Sequence, residues 1–315
     1  MIRAASIVRT APVVLLGAQR FEPTLGARVE ALGIRGKLAI ITAGWQERET
    51  DDADLIAHLD GRTVRLELHA RGEQVFRDDP ELAAGHRARQ DTLRAMQDFY
   101  RLRLQRALEA ERAVREAPGP AAVREEAQQA CVQAIRDLDD WHLAQCARVR
   151  ARFETLYHPS DRPAVRRQQA ILARLLVDCE GVCIAGGHVA VLINRMLMFD
   201  LKTLIGDRPV FAWSGGAMSV CDRIVLFHEQ HGDGACEVLD RGLGLVSGVV
   251  AFPEPESRLK HDDAERLSLK VNRFSPATCL TLPARSSVVY RSGRLSEADG
   301  VEVLGGSLDP SVAGQ

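Results

Sequence analysis

In VFAWSGGAMSVCDRIVLFHE, Val210 to Glu229, an apolar run ends at Trp213, then come Ser214, two glycines and a new amphipathic run. A serine at a sharp strand-to-helix turn is the arrangement of a nucleophile elbow, which needs small flanking residues so that the backbones can approach. Ala212 and Gly216 stand two positions either side of Ser214, giving an A-x-S-x-G version of G-x-S-x-G. At a helix N-terminus the free N–H groups and the dipole favour developing negative charge. The Gly215 N–H supplies half of an oxyanion hole, and Gly186 and Gly187, whose N–H groups nothing shields, are the candidates for the other half. The competing reading is a serine capping a buried helix, with glycines that permit helix–sheet packing.

A serine hydroxyl needs a base within hydrogen-bond reach. The candidates are His228 and His231 in LFHEQHG, His188 after the double glycine, and Glu254 in FPEP as a carboxylate base. Glu229 or Asp222 is placed to orient such a base. Each also has a structural reading: His188 as a helix-terminal cap, His228 as a strand-end residue, His231 as part of a turn, Glu254 as a surface carboxylate. HEQHGDG falls one residue short of the zinc helix H-E-x-x-H, and GLGLVSG lacks the Lys-Ser/Thr of a phosphate loop. No metal and no cofactor are expected. Cys221, expected two turns along the helix that Ser214 opens, reads as a core thiol.

The elements that must position these residues alternate. APVVLLGAQ and KLAIITAGW read as strands around a helix with Leu25, Val29 and Leu32 on one face, and RTVRLELHA reads as a third strand, with Val64, Leu66 and Leu68 alternating inward. From Pro80 to Leu156 the strand signal stops. Two helices of about 30 residues, each about 45 Å long, are separated by PGP at 118–120. Their apolar stripes run Leu93, Met96, Tyr100, Leu104, Ala107 and Ala127, Cys131, Ala134, Leu138, Trp141, Val149, Phe153, Leu156. SDRPAVRRQQAILARLLVD reads as a helix with Ser160 or Asp161 at its N-cap and Pro163 in its first turn. The alternation resumes at GVCIAGGH and ends in the strands ATCLTLP and SSVVYRSG. The class is an α/β, three-layer αβα open and mostly parallel sheet, interrupted by a long antiparallel helical-hairpin insertion. Residues 1–80 and 159–300 form the two parts of the α/β domain, 81–158 the hairpin, and 301–315 a flexible tail. In such sheets the chemistry sits at the carboxyl ends of strands.

VCIAGGH…LINRM, PVFAWSGGAMS and DRGLGLVSGVVAFPEPESRL resemble, in order and spacing, the dipeptidase E and cyanophycinase family of serine peptidases. The resemblance covers roughly residues 12–70 and 179–295 and leaves out the hairpin. It implies a class I glutamine amidotransferase-like fold, Ser214 as nucleophile, and Gly187 and Gly215 as oxyanion donors. His188 replaces the family's Asn, and Glu254 stands where the family's triad histidine is expected. The resemblance therefore implies a serine hydrolase acting on a small peptide or amide with an unorthodox base, or a non-catalytic member of the fold that binds a ligand or partner. Acidic dipeptides or β-aspartyl peptides are the substrates it suggests.

Composition sets the outer limits. The chain has 315 residues, 46% of them hydrophobic, enough for a sizeable core. A net charge of -2 argues against general nucleic-acid binding. Only Lys37, Lys202, Lys260 and Lys270 are lysines; the remaining basic residues are arginines, a compositional bias. No window approaches the ~20 apolar residues of a membrane span, and the N-terminal MIRAASIVRTAPVVLLGAQRFEP reads as mature protein rather than a signal peptide. Seven scattered cysteines fit a reduced cytoplasmic protein. Phe99, Leu102 and Trp141 are spare apolar residues on the hairpin and suggest a homo-oligomer through that arm; an arm of this kind also serves as a lid, or packs on its own domain.

Overall fold

The structure is a computed structural model and describes residues 9–228, 235–260 and 263–306. Along the chain, β1 (Val13–Leu16) leads through α1 (Leu25–Ala31) to β2 (Lys37–Ile41), and α2 (Ala53–His58) leads to β3 (Thr63–Arg65). Four helices follow: α3 (Leu68–Asp78), α4 (Pro80–Glu116), α5 (Ala121–Tyr157) and α6 (Pro163–Val177). The alternation then returns with β4 (Cys179–Ile184), α7 (Val189–Met198), α8 (Leu201–Ile205), β5 (Val210–Trp213) and α9 (Gly215–Val220). β6 (Arg223–Leu226), β7 (Glu237–Arg241) and β8 (Val249–Pro253) precede α10 (Pro255–Arg258) and α11 (Ala264–Phe274). β9 (Thr278–Leu282), β10 (Ser287–Arg291), β11 (Arg294–Asp299) and β12 (Glu302–Val303) complete the described chain.

The main sheet has seven strands in the order β11-β10-β1-β5-β4-β2-β3. β1, β5, β4, β2 and β3 are parallel, and β10 and β11 add an antiparallel edge. Every residue of β1 and β5 is buried, as strands covered on both faces must be. Alternate residues enter two separate cores: Val13, Leu15, Val210 and Ala212 on one face, Val14, Leu16, Phe211 and Trp213 on the other. α1 closes the second core through Leu25 and Val29. The first core holds residues of α3 to α9 and of a smaller sheet, β12-β9-β8. The expected α/β layering is therefore present. Among the described residues no helix is long and apolar enough to cross a membrane.

Local differences from expectation have identifiable causes. The third strand ends at Arg65, and Leu68 opens α3 instead of continuing the alternation. The carboxylate of Glu49, 4% exposed, accepts from the backbone N–H groups of His69 and Ala70 at 3.1 and 3.0 Å. A cap supplied from 20 residues upstream thus starts the helix, and Glu67 takes the left-handed conformation at φ 49°. Ser160 and Asp161 lie in a 3-10 turn, and the N-cap of α6 is Arg162, with Pro163 in the first turn. Cys221 is not on a helix two turns beyond Ser214. α9 ends at Val220, and Cys221 is its extended C-cap, bridged to Val246. Burial pushes that thiol up to about 12, as suits a core residue. β11 and β12 extend the fold beyond the last strand that the sequence pattern predicts. β12 pairs with β9 through Glu302 and Val303, and residues 307–315 lie outside the described residues.

The long helices pack against each other, each with 37 residues and thus about 55 Å long. Their seam is less apolar than the predicted stripes. Ala134, Trp141 and Leu156 are exposed, while Asp139 and His142 are buried beside Leu138, Leu143 and Cys146. Asp139 is compensated by Arg273 of α11, which donates to its two oxygens at 2.7 Å each and to Tyr100 Oη at 2.9 Å. Tyr100 Oη in turn donates to Asp139 at 2.7 Å. The hairpin is thereby tied to the body by a buried, fully connected ionic network.

Candidate active site

β5 delivers Ser214 at φ 50°, ψ −128°, a conformation that costs a non-glycine residue about 1–3 kcal/mol. The packing around it imposes that turn. A Cβ on Gly216 would stand 2.2 Å from the Ile184 carbonyl oxygen, and one on Gly186 would stand 2.6 Å from Ser214 Cβ. Only glycines let the ends of β4 and β5 approach this closely. Ser214 occupies the N-cap position of α9, yet its side chain makes no capping bond. Its hydroxyl instead donates to Glu254 Oε1 at 2.8 Å.

Glu254 follows β8 and is itself left-handed, at φ 56° and ψ 49°. Its N–H donates to the Leu282 carbonyl at 3.2 Å, tying it to the neighbouring strand β9. One turn on, Arg258 Nη2 donates to the second carboxylate oxygen at 2.8 Å. Ser214, Glu254 and Arg258 thus form a chain in which one carboxylate oxygen faces the hydroxyl and the other is held by a guanidinium. Arg258 was not singled out from the sequence; the i+4 spacing from Glu254 is the signal that points to it.

Gly187, at φ 100°, and His188 follow β4. The His188 N–H donates to the Gly44 carbonyl at 2.7 Å, so it is not free for a ligand. Among the described residues neither the Gly187 nor the Gly215 N–H donates to a backbone carbonyl. The two glycines are in contact, since a Cβ on Gly215 would lie 3.1 Å from the Gly187 oxygen. His188 Nδ1 accepts from the Val191 N–H at 3.3 Å, which makes this histidine the N-cap of α7.

His228 is exposed and lines the same cavity, but no hydrogen bond joins it to Ser214 or Glu254 among the described residues. Glu229 and His231 lie outside the described residues. Asp222 accepts from Ser247 Oγ and from the Gly248 N–H, and so fixes the turn before β8.

The cavity measures about 1410 Å³ and is bordered by residues following β1, β2, β4, β5 and β8. That exceeds the roughly 300–1,000 Å³ of ordinary small-molecule pockets. Its far wall is the hairpin, through His86, Gln90 and Gln97 of α4 and Arg150 of α5. Gln46, in the turn after β2, also lines it and has a strained backbone at φ 59°, ψ −124°. Nothing in its sequence neighbourhood signals that.

No family model matches the chain, and no curated protein matches it. Among solved structures, the chain is similar to a peptidase from an acI-B1 Actinobacterium, with 12% identity, a TM-score of 0.41, and coverage of 94% of this chain and 91% of that one. A likeness at that score carries no argument about activity.

Proposed function

We propose that the protein is a serine hydrolase of the dipeptidase E and cyanophycinase kind, acting on a small peptide or amide with Ser214 as nucleophile and Glu254 as general base. The observation that carries this reading is the 2.8 Å hydrogen bond from Ser214 Oγ to Glu254 Oε1, made by a serine with a strained backbone whose hydroxyl does no capping. In this reading Ser214 Oγ attacks the carbonyl carbon as its proton passes to the Glu254 carboxylate. The oxyanion accepts from the Gly187 and Gly215 N–H groups. The protonated Glu254 returns its proton to the leaving amine. A water molecule, deprotonated by the same carboxylate, then hydrolyses the acyl ester and restores Ser214.

A second reading is favoured by one observation. Among the described residues no imidazole is hydrogen-bonded to Ser214, so a ligand-binding role without hydrolysis uses the same cavity without an activated serine. Labelling by a fluorophosphonate probe separates the two. Wild type labels and Ser214→Ala does not, while Glu254→Gln labels about 100-fold more slowly. Equal labelling of wild type and Ser214→Ala sinks the hydrolase reading. Should Glu254→Gln label at the wild-type rate and His228→Gln not, the base is His228.

A further inference from the structure

Gln46 has nearly the same backbone as Ser214. Its φ and ψ are 59° and −124°, against 50° and −128° for the serine. Glycine enters this region freely, and any other residue is strained there. The loop that carries Gln46 is fixed on both sides. The Gly44 carbonyl accepts from the His188 N–H at 2.7 Å, and a Cβ on Gly44 would stand 2.3 Å from the Gly186 oxygen. A Cβ on Gly187 would meet Trp45 Cδ1 at 2.9 Å. On the other side, the Glu49 N–H donates to the Gln46 carbonyl at 2.9 Å, and the Thr42 hydroxyl donates to the Glu49 carbonyl at 2.8 Å. The Glu49 carboxylate in turn caps α3. Residues 42–49 are thus held between the glycine turn after β4 and the start of α3, which is what keeps the strained backbone in place.

The side chain takes no part in holding that conformation. Four glutamines line the cavity: Gln19, Gln46, Gln90 and Gln97. The fold uses three of them. Gln19 Oε1 accepts from the Thr24 and Leu25 N–H groups at 2.7 and 2.8 Å, Gln90 donates to Asn194 Oδ1 at 3.2 Å, and Gln97 donates to Glu237 Oε2 at 3.1 Å. Gln46 is half-buried, and among the described residues its carboxamide makes no hydrogen bond. Neither of its amide atoms is sealed inside the protein, so both keep accessible surface. A glycine would hold this backbone without strain. A glutamine holds it with strain and presents an unused donor and acceptor at the cavity wall.

A carboxamide carries N–H donors and a carbonyl acceptor in one plane, and its complement is another amide. In the hydrolytic reading the attacked peptide unit is already engaged. Its oxygen accepts from the Gly187 and Gly215 N–H groups, and its nitrogen receives the proton from Glu254. We propose that Gln46 is a specificity residue whose carboxamide pairs with a second peptide unit of the substrate, Oε1 accepting from the N–H and Nε2 donating to the carbonyl. That the paired unit is not the attacked one rests on the reading of Ser214 as nucleophile; the pairing itself does not. The substrate class is a peptide with at least two amide groups, such as a tripeptide or a blocked dipeptide, rather than a simple amide or a free dipeptide. An amide-to-amide pair reads the backbone, so it calls for no particular substrate side chain.

The test is calorimetric binding to the Ser214→Ala protein, which removes turnover. The probes are acetyl-tetra-alanine amide and the analogues in which an ester oxygen replaces each internal amide N–H in turn. One ester position binds about tenfold more weakly than the all-amide peptide. Gln46→Met keeps the length of the side chain and lacks both polar atoms. In that variant the all-amide peptide binds about tenfold more weakly, and the same ester has no further effect. Equal binding of all the probes, no binding of any, or an ester effect that survives Gln46→Met overturns the proposal. Gln46→Gly relieves the backbone and strips no contact from the fold, so it melts about 2 °C above its parent and binds the probes as Gln46→Met does. A lower melting temperature in Gln46→Gly assigns the side chain to the fold and overturns the proposal. Hydrolysis of the all-amide peptide by wild type is scored separately, from its products. An ester effect without turnover sinks the hydrolase reading alone, and turnover without an ester effect sinks the pairing alone. Cleavage at the ester-sensitive bond itself overturns the assignment of Gln46 to a second peptide unit.

Discussion

Ser214 Oγ and Glu254 Oε1 are 2.8 Å apart across 40 residues of chain, and both residues hold positive φ angles, 50° and 56°. Two strained residues are thus held against each other by different sheets. Strain of this kind persists only where the surroundings over-determine it.

Glu254→Gln keeps an oxygen that can accept from the Ser214 hydroxyl but removes the base. The expected result is a fall in kcat of about 10²–10⁴ with little change in KM. Arg258→Ala frees the carboxylate to rotate, so kcat falls by less, and Arg258→Lys restores part of it. Steady-state kinetics on all three checks the ordering.

Gly186→Ala introduces a Cβ 2.6 Å from Ser214 Cβ and 2.9 Å from the Gly215 nitrogen. The elbow must move, so probe labelling is lost and stability falls by about 1–3 kcal/mol. Labelling at the wild-type rate would show that the close approach of β4 and β5 has no bearing on the serine.

Arg273→Met strands the buried Asp139. Urea unfolding should show a loss of about 3–5 kcal/mol, while Asp139→Leu combined with Arg273→Met recovers most of it. An additive double mutant would mean that the two charges are not coupled.

His86 gives the acid limb of stability a predictable slope. Above pH 6.5 it is neutral in both the folded and unfolded chain and adds no pH dependence. Between 6.5 and about 3 the unfolded chain binds a proton that the folded chain refuses, so stability falls with falling pH by up to about 1.4 kcal/mol per unit. The difference between wild type and His86→Gln, followed by chemical denaturation from pH 7 to pH 4, isolates this contribution. A parallel pair of curves refutes it.

Phe99 and Leu102 on α4 are 66% and 61% exposed, and Trp141 on α5, with Arg103 stacked over it at 4.5 Å, is 44% exposed. We propose that this face of the hairpin carries a homo-oligomer contact. Light scattering should give a mass above one chain for wild type and one chain for Phe99→Glu with Leu102→Glu. A wild type that stays single at high concentration ends the idea.

The elbow was legible because its signal is local. A four-residue apolar strand ending at Trp213, then Ser214 and two glycines, lie within one short stretch, and the α/β alternation around them is periodic. The partner of the serine was readable only as one candidate among several, because proximity across 40 residues leaves no periodic trace. The sequence pattern overextends β3 for the same reason: the Glu49 cap that starts α3 comes from a separate loop. The sequence pattern misplaces the hairpin seam at Asp139 and His142, because a burial rule excludes polar groups unless their partners are known; Asp139 is paired with Arg273 of α11 and His142 with the Leu239 carbonyl of β7.

The ionic tie between hairpin and body also sets an order of assembly. Arg273 lies 134 residues after Asp139. On the ribosome the two long helices are complete before β4, β5 or β8 has been made, and their mutual contacts are local enough to form at once. Asp139 therefore spends that interval without its counter-ion. The wall of the cavity is made before the strands that carry Ser214 and Glu254, and the emergence of α11 is the event that locks one to the other.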